Sequence, residues 1–85
     1  MKELRWDLKK NERLKRIRGV SFDDLINSRF IVILDHPTRK SQKIMLFEYK
    51  RYIWAVPCVE EDDYYFLKTL FPSRKYTKQF KGEMK

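Results

Sequence analysis

Cysteine, histidine, glycine and proline are scarce in this chain of 85 residues, and each shortage excludes a class of structure. The single cysteine, Cys58, cannot form an internal disulfide, and together with the single histidine, His36, it cannot supply a structural zinc site. No phosphate-binding loop or dinucleotide fingerprint occurs, so we expect neither a metal nor a cofactor. Two glycines and three prolines are too few for a linker or a low-complexity protein.

Long hydrophobic segments are also missing. The longest apolar run, residues 30–34, is far shorter than the roughly 20 residues of a membrane-spanning helix. The first residues lack the apolar core of a signal peptide, so we expect a cytoplasmic protein that does not contact a membrane. A hydrophobic fraction of 42% at this length predicts one folded domain over residues 1–85.

Positive charge is abundant and is concentrated at both ends of the chain. Residues 1–18 contain eight Lys and Arg against three acids, and residues 64–85 contain six against one, which gives each segment a charge of +5. The middle, residues 19–63, has six against eight, a charge of −2. Such a distribution favours a partner rich in phosphate or carboxylate, with binding that weakens as salt rises. The alternative is that the charge only provides solubility.

The first third of the chain predicts a short strand and two helices. Residues 4–6 alternate as an edge strand does, Asp7 suits the N-cap of a helix over residues 8–18, and Gly19 suits its left-handed end. The helix has a narrow apolar stripe: Leu8, Leu14 and Ile17.

A capping box opens the second helix. Ser21 is placed to cap it and Asp24 to reach back to the cap amide. The helix is short and ends near Asn27 or Ser28. We therefore expect an N-terminal helical hairpin with one apolar side.

From residue 30 the hydrophobic period changes from about 3.6 to 2. Strands are predicted over residues 30–34, 43–49, 52–56 and 64–71. A polar loop over residues 35–41 joins the first two, and Lys50-Arg51 forms a tight link of undetermined turn type. Pro57 should break or bulge the third strand, and Pro72 should end the last one before a basic tail. The prediction is an α+β fold: a helical hairpin on an antiparallel sheet of about four strands.

Two segments of this pattern resemble the BrnT-like toxins. Trp6-Asp7 precedes a charged helix, which is followed by Arg-Gly-Val-Ser-Phe-Asp-Asp over residues 18–24. The closing segment, residues 66–78, reads Phe-Leu-Lys-Thr-Leu-Phe-Pro-Ser-Arg-Lys-Tyr-Thr-Lys and resembles the family's last strand with its Ser-Ala-Arg-type motif. The resemblance extends from Trp6 to Phe80.

This resemblance implies a bacterial type II toxin with a RelE-like fold. Such a protein is an endoribonuclease that inhibits translation by cleaving RNA, and a cognate antitoxin, usually encoded beside it, neutralises it. The toxin–antitoxin complex binds operator DNA. Arg74 matches the arginine of the closing motif, and Lys43 matches a basic residue that enters the second strand. The chain departs from the family where the alanine after Ser73 is absent and where Lys50-Arg51 replaces a glycine.

Metal-independent RNA cleavage needs proton transfer and cations that stabilise the phosphorane. Arg74 is the strongest candidate because its planar guanidinium matches a phosphate and stays charged. Lys43 and Lys68 would add charge, although Lys68 also fits a lysine at the rim of a strand. His36 is the easiest proton acceptor or donor, unless it is an exposed loop residue or caps a turn. Glu48 would act as a base or form a cross-strand salt bridge to a lysine.

Further basic and aromatic residues would bind RNA. The candidates are Lys75 and Lys78 in the tail, Tyr65 and Tyr76 as stacking platforms, and Lys9 and Arg13 on the first helix. The tyrosines also fit ordinary core positions, and the helix face also fits a solvated surface. Two alternatives to a nuclease stay open: a non-catalytic module of the same fold that binds RNA or an acidic protein, and a purely structural interaction domain.

Overall fold

The longest paired element is the hairpin of β3 (Gln42–Tyr49) and β4 (Tyr52–Glu60). The structure is a computed structural model that describes residues 2–83. Lys50 and Arg51 alone join the two strands, and both have positive φ angles, 52° and 64°. Positive φ at both central residues is the signature of a type I′ turn, whose twist matches that of the strands. The predicted two-residue link is confirmed, and its turn type is now defined.

A six-stranded, mostly antiparallel sheet is built around this hairpin in the order β1-β5-β4-β3-β2, and β6 pairs with β4. The edge strand β1 (Glu3–Trp6) runs parallel to its neighbour β5 (Tyr64–Leu67), and the other edge strand, β2 (Arg29–Asp35), is antiparallel to β3. The α+β class is confirmed, but the expected count of about four strands is wrong. The edge strand β1 and the short β6 add to it.

The C-terminal segment also differs from the prediction. The single strand expected over residues 64–71 is two strands, β5 and β6 (Phe71–Pro72), both paired with β4. Pro72 is part of the ladder, opposite Trp54. The predicted basic tail contains a helix, α3 (Arg74–Gln79), capped by the Ser73 hydroxyl, and a 3-10 turn (Lys81–Glu83). Residues 84 and 85 of that tail lie outside the described residues.

Pro57 does not interrupt β4, which continues to Glu60. Its carbonyl accepts a hydrogen bond from the Lys68 amide at 2.9 Å. Because the N and C=O of one strand residue point to the same side, the nitrogen of Pro57 faces the gap between β5 and β6. No ladder bond is lost there, so the predicted break was wrong.

Helix α1 (Leu8–Arg18) begins and ends as predicted, with Asp7 accepting from the Lys10 amide at 3.0 Å and Gly19 at φ 76°. Its apolar stripe was wrong: Leu14 is buried, but Leu8 and Ile17 are 73% and 72% exposed. At 3.6 residues per turn, Leu8 and Ile17 point in directions about 180° apart, so they cannot both face the sheet.

Helix α2 (Phe22–Ile26) is held by the predicted capping box. It is too short to form the expected helical hairpin with α1. Polar bonds connect the two helices instead: the Asn11 amide donates to Asp23 at 2.8 Å, and Lys15 pairs with Asp24 at 2.8 Å. Through Phe22 and Leu25, α2 contributes the most completely buried helix side chains.

We predict that Asp24→Asn weakens the acid dependence of stability. Hydrogen bonds from Lys15 and the Ser21 amide hold the pKa of Asp24 below its ordinary value of 3.8. The folded state therefore binds this proton less readily than the unfolded state, so the stabilisation is present above pH 3.8 and is lost as pH falls through the lower folded pKa. We expect Asp24→Asn to lower the free energy of unfolding at pH 7 by about 0.5–1 kcal/mol and less at pH 2, measured by urea titration. An equal loss at both pH values would contradict this.

The sheet has two covered faces. On the helix face, Met45, Phe47, Val56 and Cys58 pack with residues from α1 and α2. On the α3 face, Leu46, Ile53 and Ala55 form a smaller core against which Tyr76 and Phe80 pack. Within residues 2–83, no helix has both the length and the apolar character needed to cross a bilayer.

Candidate functional site

The structure places the predicted catalytic residues at two ends of the sheet. Arg74 begins α3 directly after Ser73, whose amide donates to the Ile53 carbonyl at 2.8 Å. Lys43 lies opposite Cys58, which is about 17 Å farther along β4 at the usual rise per strand residue. The two residues also lie on different sides of the sheet. Lys43 is two residues from Met45 on β3 and therefore shares the helix face, whereas Arg74 begins α3, which packs on the other face. They do not form one active centre.

Lys43 belongs to a group that we call the loop-end cluster: Lys2, Asp35, Lys43 and Glu60. Lys43 pairs with Asp35 and lies 3.9 Å from Glu60, and Lys2 pairs with Glu60 at 3.0 Å. The hydrogen bond to Asp35 raises the pKa of Lys43, and the bond from Lys2 lowers the pKa of Glu60. Two cations and two carboxylates thus neutralise each other. Lys43 stays protonated, so it is unsuited to accept a proton.

His36 lies beside this cluster, in the β2–β3 loop. Its Nδ1 accepts hydrogen bonds from the amides of Thr38 and Arg39, each at 3.2 Å. With Nδ1 as the acceptor, the assigned tautomer carries its proton on Nε2. His36 and Lys43 share a cleft of about 500 Å³. The geometry is that of a turn-capping histidine, one of the two structural alternatives that the sequence left open.

The remaining single candidates have ordinary structural surroundings. Tyr65 is half-buried, and its hydroxyl donates to Glu60 at 3.4 Å. Tyr76 is half-buried against the α3-face core, with its ring 6.5 Å from that of Phe80. Lys68 is exposed between β5 and β6. Glu48 forms the expected cross-strand salt bridge, although with Arg29 at 3.0 Å rather than with a lysine.

The helical cations are exposed. Among residues 2–82, no carboxylate forms an ion pair with Lys9, Arg13, Arg74, Lys75 or Lys78. Their charge is available to an external anion, unlike that of the loop-end cluster.

A cleft of about 520 Å³ that was not predicted lies at the hairpin end of the sheet, and we call it the hairpin-end cleft. Three aromatic side chains of the helix face line it, and cations from α1 and from the turn stand beside them. The lining includes the aromatic residues Tyr49, Tyr52 and Trp54, the cations Arg18 and Lys50, and Pro72. A tight turn between two aromatic residues, Tyr49 and Tyr52, was the available sequence signal.

Strand register explains how the cleft forms. Tyr49 pairs directly with Tyr52, and Trp54, two residues further, shares their face. Pro72 pairs with Trp54 across β4 and β6 and closes one side. Arg74 follows two residues later. Arg18, Lys50 and Arg51 therefore lie at the hairpin end of the sheet, and Arg74 lies toward that end on the α3 side. No carboxylate of residues 2–82 forms an ion pair with any of these four cations.

Three comparisons with known proteins bear on this fold. No family model matches the chain, and no curated protein matches its sequence. The crystal structure of the Brucella abortus ribonuclease toxin BrnT aligns with a TM-score of 0.55 over 86% of this chain and 97% of that one, at 14% identity. At this identity the match establishes a shared BrnT-like fold, so the resemblance seen in the sequence is confirmed at the level of fold.

Proposed function

We propose that this protein is a metal-independent endoribonuclease toxin of a type II toxin–antitoxin pair. The observation that carries the proposal is the set of cations without carboxylate partners toward the hairpin end of the sheet: Arg18 and Lys50 beside aromatic rings on the helix face, and Arg74 at the start of α3 on the other face. The fold shared with a ribonuclease toxin supports it. Cations and aromatic rings together suit single-stranded nucleic acid, which offers phosphates and base faces.

In the proposed reaction, a ribose 2′-hydroxyl loses its proton to water and its oxygen attacks the adjacent phosphorus. The P–O5′ bond breaks and the leaving 5′-oxygen takes a proton from water, which gives a 2′,3′-cyclic phosphate and a 5′-hydroxyl. Arg74 donates to the phosphorane oxygens and stabilises their extra charge. Arg18 and Lys50 hold the flanking phosphates, so the strand is fixed in position for attack. Lys75 and Lys78 extend the basic surface along α3.

The proposed partner is a cognate antitoxin that covers the basic hairpin end and is encoded by the adjacent gene. The proposed complex represses its own promoter by binding operator DNA, and the toxin acts in the cytoplasm. An acidic antitoxin segment would find the same exposed cations that RNA would contact.

The test is induced expression with and without the adjacent small gene, with total RNA examined for fragments. We expect growth arrest and cleaved RNA without the partner gene, and normal growth with it. Purified protein should cleave RNA equally with and without EDTA. Intact RNA and unaffected growth would exclude the toxin function.

A non-catalytic RNA-binding module is the second candidate. The observation that favours it is the separation of Arg74 from His36, which leaves no imidazole beside the cation. Such a module would bind RNA with a strong salt dependence and leave no cleavage products, even at high protein concentration.

A further inference from the structure

We infer that the hairpin-end cleft is a stacking subsite for one base of single-stranded RNA, with Arg18 and Lys50 on the phosphates that flank it. The inference deepens the proposed function, because it assigns a part of the substrate to a cleft that lies toward the same end of the sheet as Arg74, on the opposite face. The claim that a base stacks in the cleft rests on the geometry of the cleft. The claim that the bound strand is a substrate rests on the proposed function.

Aromatic rings form one wall of the cleft. Tyr49 and Tyr52 lie directly opposite each other across β3 and β4, where side chains of one face approach within about 5 Å. Trp54 extends the same surface by one step of the strand. All three are half-buried, and Tyr49 and Trp54 are anchored against the helix-face core. Tyr49 and Trp54 are therefore held in place by the core, while part of each ring remains open to a ligand.

Cations stand on two sides of these rings. Arg18 is the last residue of α1, and the Lys50 ammonium lies 5.3 Å from the centroid of the Tyr49 ring. A base stacked on this surface would bring its own phosphates toward both cations. The volume of about 520 Å³ falls within the range usual for small-ligand sites, about 300–1,000 Å³.

The backbone of the turn supplies an independent argument. Lys50 and Arg51 both occupy left-handed conformations that Asn-Gly would adopt with less strain. The turn thus holds two cations at the cost of stability. Strained backbone positions of this kind concentrate at binding sites, where the side chain is needed for contact.

A single strand of RNA fits these features better than the other polyanions. An acidic peptide would pair its carboxylates with the cations, but it has no flat base to stack on the three adjacent rings. A duplex would present phosphates, but its bases are stacked within the helix and cannot reach the wall of the cleft. Unstacked bases can use both the rings and the cations.

The test is fluorescence anisotropy with a labelled single-stranded 2′-O-methyl RNA oligonucleotide, which binds as RNA but cannot undergo attack by its 2′-oxygen. Trp54→Leu keeps an apolar side chain in the cleft but removes the stacking surface, and we expect affinity at least about fivefold weaker. Tyr64→Leu is the matched control: Tyr64 stacks with Arg5 at 4.3 Å on the far strand, and its loss should leave affinity unchanged. Unchanged affinity in a folded Trp54→Leu protein would overturn the inference, as would tighter binding of an RNA duplex or an acidic peptide.

The double variant Lys50→Asn/Arg51→Gly provides a second readout. We expect a higher Tm because the turn relaxes, together with weaker RNA binding and a salt slope smaller by about 0.7, the value for the one phosphate contact on a single strand that is assigned to Lys50. A higher Tm with unchanged binding would show that the turn has no role in recognition.

These measurements separate the inference from the proposed function. If the protein cleaves RNA but Trp54→Leu binds the oligonucleotide normally, the subsite is wrong and the nuclease stands. If binding depends on Trp54 but RNA stays intact, the subsite stands and the nuclease is wrong.

Discussion

Arg74→Ala is expected to lower the rate of RNA cleavage by about 100- to 1,000-fold, the usual effect of removing one charge-stabilising donor from a reaction centre. The guanidinium would contact the phosphorane with two parallel donors, a geometry that the lysines of the same helix, Lys75 and Lys78, cannot reproduce. The rate would be measured under single-turnover conditions with a defined RNA, and growth arrest would be scored in parallel. Folding should be unaffected, because Arg74 is exposed and a cation in the first turn of a helix is not stabilising.

Two further variants make this result decisive. Arg16→Ala removes an exposed arginine of α1 and should leave the rate within about threefold, as expected for a change in overall charge alone. Lys43→Ala tests the loop-end cluster at the other end of the sheet. If Lys43→Ala abolishes cleavage and Arg74→Ala does not, the reaction centre lies beside His36 and the proposed site is wrong.

Local sequence signals predicted much of the fold. Asp7, Gly19 and the Ser21–Asp24 capping box each satisfy backbone groups at a helix end, so their meaning depends little on the rest of the protein. The alternation over residues 43–49 likewise defined a strand. What could not be predicted depended on long-range pairing. The parallel contact of β1 with β5 and the break between β5 and β6 are set by β4 and leave no local trace.

Helix α3 was a missed local signal. Ser73 is a good N-cap, and Tyr76 and Phe80 are four residues apart, the spacing of one helix face. The many cations in the same segment favoured a solvated tail. In the structure the two features coexist, since the rings cover the α3-face core and the cations point to solvent.

The candidate site was harder to predict, because its residues come from distant parts of the chain. Lys50 reaches the cleft beside Arg18 only after β3 and β4 pair, and Arg74 reaches the same end of the sheet only after Pro72 docks opposite Trp54. By contrast, Lys43 and His36 are near each other in sequence and do meet, but Lys43 is neutralised by Asp35. The sequence predicted that Lys43 and His36 would lie near each other, but it could not show that Asp35 would neutralise the charge of Lys43.

Phe22→Ala is expected to lower the free energy of unfolding by about 3–5 kcal/mol, the cost of removing a fully buried aromatic ring. Phe22 has no exposed surface, and its ring lies 5.9 Å from that of Trp6. A domain of this size typically has a total stability of about 5–10 kcal/mol, so the variant should be partly unfolded at 37 °C. Urea denaturation at 15 °C, followed by circular dichroism, would measure the change.

Phe30→Ala is the matched control, since Phe30 is 40% exposed and contacts Phe47 edge-on at 5.6 Å. It should cost about 1–1.5 kcal/mol, the order of one aromatic pair with part of its buried area. Phe22 also fixes the start of α2, two residues after Val20, which lines the hairpin-end cleft. RNA affinity should therefore fall in Phe22→Ala even where circular dichroism shows the protein folded, and remain normal in Phe30→Ala. Equal losses of stability in the two variants would contradict the assignment of Phe22 as the principal core ring and Phe30 as a peripheral one.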